Sequence, residues 1–84
     1  MTESEIKARI HKLIRKEVPG ARHRETLDAA DRFAALGARD LDLLHIIFAI
    51  EDEHDLHITD EEAESLQTVG DLERLVLEKV GIGV

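Results

Sequence analysis

Three threonines, each followed three residues later by an acid, constrain this chain most: Thr2 with Glu5, Thr59 with Glu62, and Thr68 with Asp71. At that spacing the Thr hydroxyl accepts the backbone N–H of the acid, and the carboxylate reaches back to the N–H of the Thr. Each pair therefore marks a helix start. After the first, Ile6, Ile10, Leu13, Ile14 and Glu17-Val18 follow a helical stripe, with Lys7, Arg9, Lys12, Arg15 and Lys16 elsewhere around the cylinder. Pro19-Gly20 ends that helix, because Pro disfavours a helical residue before it. The Thr59 pair opens a short helix whose Asp60, Glu61 and Glu62 suit the positive end of a helix dipole. The Thr68 pair opens the last, with Leu72, Leu75, Val76 and Val80 as its buried stripe, Gly81 as its stop and Ile82-Gly83-Val84 as a loose tail.

One further helix is expected from Leu41 to about His54, with Asp40 as its N-cap. Leu41, Leu43, Leu44, Ile46, Ile47, Phe48, Ala49 and Ile50 make it apolar nearly all round. A domain this small cannot bury every face of one helix, so some of these residues are exposed or covered by a partner. About twenty residues, Pro19 to Arg39, connect it to the first helix, which is long for a structureless loop. Either Leu27, Phe33 and Leu36 pin this segment to the core, or Asp28 to Ala35 forms a helical turn. The expected fold is an all-α, four-helix bundle over residues 1–84, one domain with a long first loop and a short third helix.

With 84 residues there is room for one modest core. The absence of Cys removes disulfides, Cys-based zinc sites and a thiol nucleophile, and fits a reducing cytoplasm. The acidic start Met1-Thr2-Glu3-Ser4-Glu5 carries no apolar secretion signal, and no run approaches the roughly 20 apolar residues of a membrane span. The formal charge of −8 is uneven. Through Arg24 there are seven Lys/Arg and three Glu; from Glu25 onward there are four Lys/Arg and sixteen acids. The acidic body points toward basic protein partners and away from nucleic acid and membranes.

The order and spacing of several short motifs resemble the acyl carrier protein family. They are Phe33-x-x-Leu36-Gly37-Ala38, Leu41-Asp42, Ala49-Ile50-Glu51-Asp52-Glu53, Ile58-x-Asp60-Glu61-Glu62-Ala63 and Thr68-Val69-Gly70-Asp71-Leu72. The resemblance implies a four-helix carrier fold and a second helix that docks onto basic patches of partner enzymes. It implies that Leu41, Asp42, Phe48, Glu51 and Asp52 fall on partner-facing positions. It also marks departures. The family usually reads Leu-Gly-x-Asp-Ser-Leu-Asp, with phosphopantetheine esterified to the Ser. Here Asp40 occupies the Ser position and Arg39 that of the preceding acid. Leu43 stands where a polar residue is common, His45 where a Glu is common, and His54 where an aromatic is common.

A carboxylate cannot form the phosphodiester, so no 4'-phosphopantetheine is expected at Asp40. As an anion at a helix N-terminus, Asp40 either imitates the charge of a modified Ser or serves only as a cap that replaced it. Ser4 and Ser65 are the only serines, and neither is expected to carry the arm: Ser65 ends the short third helix with no long apolar helix after it, and Ser4 lies in the first turn of the first helix. His54-x-x-His57 has the spacing of one helix face, but a helix end between them favours a surface pair over a metal site. No catalytic residue is expected: there is no nucleophile turn and no forced carboxylate pair.

The expectation is therefore a non-enzymatic, cytoplasmic, acyl-carrier-like domain that binds carrier-dependent enzymes of fatty-acid, polyketide or aminoacyl metabolism. Arg39, Leu41, Asp42, Leu43, His45, Ile47, Phe48, Glu51 and Asp52 are its expected partner-binding residues. One rival is a genuine acyl or aminoacyl carrier with an engineered or bypassed Ser site, which would carry 4'-phosphopantetheine. Another is a structural module that forms homodimers through Leu43, Ile47 and Phe48 of the second helix.

Overall fold

Each threonine cap closes in both directions. The Thr hydroxyls accept from the N–H groups of Glu5, Glu62 and Asp71 at 3.2, 3.1 and 3.0 Å. The acids accept from the N–H groups of Thr2, Thr59 and Thr68 at 3.0, 2.9 and 3.1 Å. The resulting computed structural model describes residues 2–81 and contains α1 (Glu3–Glu17), a 3₁₀ turn (Pro19–Ala21), α2 (Asp40–His54), α3 (Asp60–Glu64) and α4 (Val69–Val80). This is the expected four-helix, all-α bundle. The tail Ile82-Gly83-Val84 lies outside the described residues.

Helix ends follow local chemistry. Pro19 stops α1 after Glu17, and Gly81 closes α4 in the left-handed region at φ 78°. Asp55 closes α2 in the same region at φ 51°, a conformation that Asp tolerates better than most residues. The start of α2 differs by one residue from expectation. Arg39 is extended (φ −95°, ψ 163°) and Asp40 is already helical, so Arg39 is the N-cap and Asp40 the first helical residue. The cap interaction comes from Asp42, whose carboxylate accepts the Arg39 N–H at 2.9 Å.

The core is aliphatic. Ile6, Ile10, Leu13 and Ile14 of α1 meet Ile46, Ile47 and Ile50 of α2 and Leu72, Val76 and Leu77 of α4. Leu75 and Val80, expected in the buried stripe of α4, are only partly buried. No residue of α3 is buried; the flanking Ile58 and Leu66 anchor it. The 2.8 Å ion pair of Glu62 with Lys79 ties it to α4.

Leu27, Phe33 and Leu36 do pin the long connection, with exposures of 6%, 3% and 6%. No helix forms over Asp28 to Ala35. Successive turns close instead: Asp31 N–H donates to the Asp28 carbonyl at 3.0 Å, Leu36 N–H to the Arg32 carbonyl at 3.1 Å and Ala38 N–H to the Phe33 carbonyl at 2.9 Å, with Gly37 at φ 79°. Backbone pairing with α4 holds the rest. The first N–H groups of any helix lack intrahelical acceptors. Here Val69 N–H donates to Asp31 O and Gly70 N–H to Ala29 O, both at 2.9 Å, while Phe33 N–H donates to Gln67 O at 3.0 Å. The orphan donors of α4 thus fix the path of the loop, and the loop positions the entry to α2.

Two acidic side chains are buried, Asp42 and Glu73. Arg39 partners the first; His11 Nε2, reaching from α1, partners the second at 2.5 Å. Among the described residues no buried side-chain N or O atom lacks a partner.

Candidate functional site

The apolar surplus of α2 divides into an inner and an outer face. Ile46, Ile47 and Ile50 point into the core, and Leu43 and Ala49 pack at its edge. Leu41, Leu44 and Phe48 remain 55%, 42% and 58% exposed. Their spacing of three and four residues puts them on one side of a helix, and exposed Asp52 continues that line by one more turn. Leu44 was absent from the expected partner-binding residues, although its spacing from Leu41 and Phe48 marks the face. Ile47 is core, so a seam through Leu43, Ile47 and Phe48 is not an available surface; the open apolar stripe is Leu41, Leu44 and Phe48.

At the N-terminal end of this stripe, Asp42 is buried and fully engaged. Its Oδ1 accepts from Arg39 Nη2 at 3.1 Å, and its Oδ2 accepts from Arg39 Nε at 3.3 Å and from the Arg39 N–H. The guanidinium first, and the backbone N–H second, hold the Asp42 carboxyl below the usual carboxylate range. Arg39 is correspondingly raised and, with a side chain 73% exposed, presents a fixed cation at the helix entrance. Asp40 beside it is exposed. Its carboxylate lies in the first turn of α2, where the helix dipole favours an anion.

Asp40 also stands at the rim of a shallow cleft of about 240 Å³ between α2 and α3. Leu43, Leu44, Ile47 and Ala63 line it, with Glu64 on the opposite rim. The floor is apolar and both flanking charges are negative. Ala63 and Glu64 gave no signal in sequence, because only the return of α3 across α2 brings them to Asp40.

Farther along α2, Glu51 turns inward. Its Oε2 accepts the Ile58 N–H at 2.8 Å and lies 3.2 Å from His57 Nδ1, so this carboxylate holds the link to α3. His45, half exposed, faces Glu17 of α1 at 3.4 Å. Glu53 pairs with Arg9 at 2.8 Å, and the guanidinium holds its carboxyl below the usual range. Of the α2 acids, Asp40 and Asp52 are exposed and have no ion-pair partner among the described residues. His54 and His57 do not meet a third ligand; no group of three His, Cys, Asp or Glu side chains converges among the described residues. Ser65 donates its hydroxyl to the Glu62 carbonyl at 2.8 Å. Among the described residues no helix is long and apolar enough to cross a membrane.

No protein-family model matches the chain. Individual proteins do. An acyl carrier protein of Phenylobacterium zucineum is 32% identical over 78 residues, covering 93% of this chain and 98% of that one. An acyl carrier protein of Caulobacter vibrioides is 34% identical over 76 residues, covering 90% and 96%. The crystal structure of an acyl carrier protein from Thermotoga maritima superposes with a TM-score of 0.80 at 27% identity, over 96% of this chain and 93% of that one.

Proposed function

The chain belongs to the acyl carrier protein family, and we propose that within it this protein is a partner-binding domain that carries no 4'-phosphopantetheine at the usual position. Acyl carrier proteins are carriers and not catalysts, and this chain is a binding domain in the same sense. The observation that carries the finer reading is Asp40. It is exposed in the first turn of α2, at the mouth of an apolar cleft, where a modified Ser would present its arm. Its carboxylate has no hydroxyl to take up the phosphodiester. Neither serine is a ready substitute. Ser65 ends the five-residue α3 with its hydroxyl engaged, and Ser4 lies in the first turn of α1.

The retained part is a docking helix. Leu41, Leu44 and Phe48 offer apolar contact, and Asp40, Asp52 and Glu64 surround them with negative charge. A basic surface of a carrier-dependent enzyme complements that face. Charge would speed the encounter, and the apolar stripe would supply the contact area. Binding there without an arm makes the protein a regulator or decoy of such enzymes.

The test is an intact-mass measurement after incubation with coenzyme A and a broad-specificity phosphopantetheinyl transferase. The natural protein is expected to keep its mass, and Asp40→Ser to gain one phosphopantetheine. A mass gain on the natural protein overturns the reading and establishes a working carrier with a bypassed Ser site.

A further inference from the structure

Buried Glu73 has an oxygen to spare. Its Oε2 is taken by His11 Nε2, and its side chain is only 9% exposed. Its Oε1 has no hydrogen-bond partner among the described residues, where no fully buried side-chain oxygen is left without one. Oε1 therefore reaches solvent. It does so at an open cleft of about 320 Å³ between α1 and α4, which Glu73 lines.

Both signs of charge surround this cleft. Glu3, Lys7 and His11 are spaced by four, so they share one side of α1. His11 sets that side against Glu73, and Lys7 stands one turn, about 6 Å, farther along. Lys7 lines the cleft, yet among the described residues it forms an ion pair with neither Glu3 nor Glu73. Arg74 of α4 is a second cation at the rim, with a long 3.6 Å contact to Asp71. The floor between these charges is apolar. Leu77 is buried there, and Ala29 of the long connection is held against Gly70, whose N–H donates to its carbonyl at 2.9 Å.

We infer that the cleft binds a free α-amino acid with an aliphatic side chain. Its ammonium would donate to Glu73 Oε1, its carboxylate would accept from Lys7 and Arg74, and its side chain would lie over Leu77 and Ala29. A carboxylate and an ammonium that line one cleft without pairing are bridged by a molecule carrying both charges. A plain anion would meet Glu3 and Glu73 as like charges, and a plain cation would meet Lys7 and Arg74. Hydrogen bonds between ionised groups are about twice as strong as neutral ones, and a carboxylate already stripped of most of its water loses little more on binding. The volume stands at the low end of the roughly 300–1,000 Å³ of small-molecule sites, which suits a ligand of this size. This cleft shares no residue with the one between α2 and α3, so the inference does not depend on how Asp40 is read.

Two-dimensional amide NMR of the full chain, titrated with L-valine through the millimolar range, tests the inference. The amides of Ala29, Gly70 and Leu77 are expected to shift and to saturate. Valinamide lacks the carboxylate and isovalerate lacks the ammonium; each is expected to bind at least about tenfold more weakly. Lys7→Met and Glu73→Gln should each weaken L-valine about tenfold. Lys7 is only half-buried, so its variant decides the matter even where Glu73→Gln loosens the contact with His11. The absence of a saturable shift at those amides overturns the inference. So does valinamide or isovalerate binding as tightly as L-valine, which marks a simple cation or anion site, and so does an affinity that Lys7→Met leaves unchanged.

Discussion

Replacing Gly20 by Ala tests how the entry to α2 is held, from a position twenty residues upstream. The N–H of Gly20 donates to the Leu36 carbonyl at 3.0 Å, so the two backbone segments are in contact. A Cβ on Gly20 would lie 2.0 Å from the Leu36 oxygen and 2.7 Å from its carbonyl carbon. Both are backbone atoms, which cannot rotate away as the end of a side chain can. The segments must separate by more than 1 Å to reach an ordinary contact near 3.4 Å. That breaks a hydrogen bond worth about 1 kcal/mol net. It also lifts Leu36 from the core, at the expense of part of the roughly 1.5–3 kcal/mol that burying a Leu contributes. The expected loss is about 2–4 kcal/mol. The alternative has the opposite sign: at an unstrained site Gly→Ala stabilises by about 0.4–1 kcal/mol through the unfolded chain. Urea unfolding followed by circular dichroism measures the difference, with Arg22→Ala as an exposed neighbouring control. In a domain of this size the melting temperature should fall by roughly 4–8 °C per kcal/mol. A Gly20→Ala midpoint equal to or above the natural one would refute the packing argument.

Other perturbations separate the two faces of α2 and probe the buried Glu73. Ile47→Ala should cost about 2–5 kcal/mol, whereas Leu44→Ala, on the open side of the same helix, should stay within about 0.5 kcal/mol in the same urea assay. Asp40→Ser should leave stability nearly unchanged, because the cap interaction is made by Asp42; only the dipole contribution of about 0.3–1 kcal/mol is at stake. His11→Ala should cost about 1–3 kcal/mol by leaving buried Glu73 without its partner, and Glu73→Gln, which preserves an acceptor for His11, should cost less. Acid should weaken the fold in a defined direction. The Gln67 N–H at Asp71, the Lys79 ammonium at Glu62 and the Arg9 guanidinium at Glu53 hold these carboxyls below their usual range. Depressed folded values mean the contribution is complete above the unfolded values near 4 and is lost as pH falls through the folded ones. The urea midpoint should therefore be flat from neutral pH to about 5 and then drop, and Asp71→Asn should shrink the drop.

Helix starts were legible because their chemistry is local. Thr2, Thr59 and Thr68 each find their acid three residues away, so the sequence alone determined where α1, α3 and α4 begin, and Pro19, Asp55 and Gly81 where helices stop. The identity of Asp40 was equally plain, since the missing hydroxyl is a property of one residue. The face of α2 was not legible. A helix apolar nearly all round has no period that distinguishes buried Ile47 from exposed Leu44. Only burial in the core shared with α1 and α4 decided it.

The same holds for the long connection and the two buried acids. Ala29 and Asp31 lie far in sequence from Gly70 and Val69, and nothing local announces that their carbonyls satisfy the orphan donors of α4. Glu73 reads as one surface acid among many until α1 sets His11 beside it. Asp42 reads as a docking acid until the bend at Arg39 folds the guanidinium over it. Sequence determined what three or four neighbouring residues settle among themselves. Tertiary structure decided which groups lose water, because desolvation depends on what the distant chain brings to cover them.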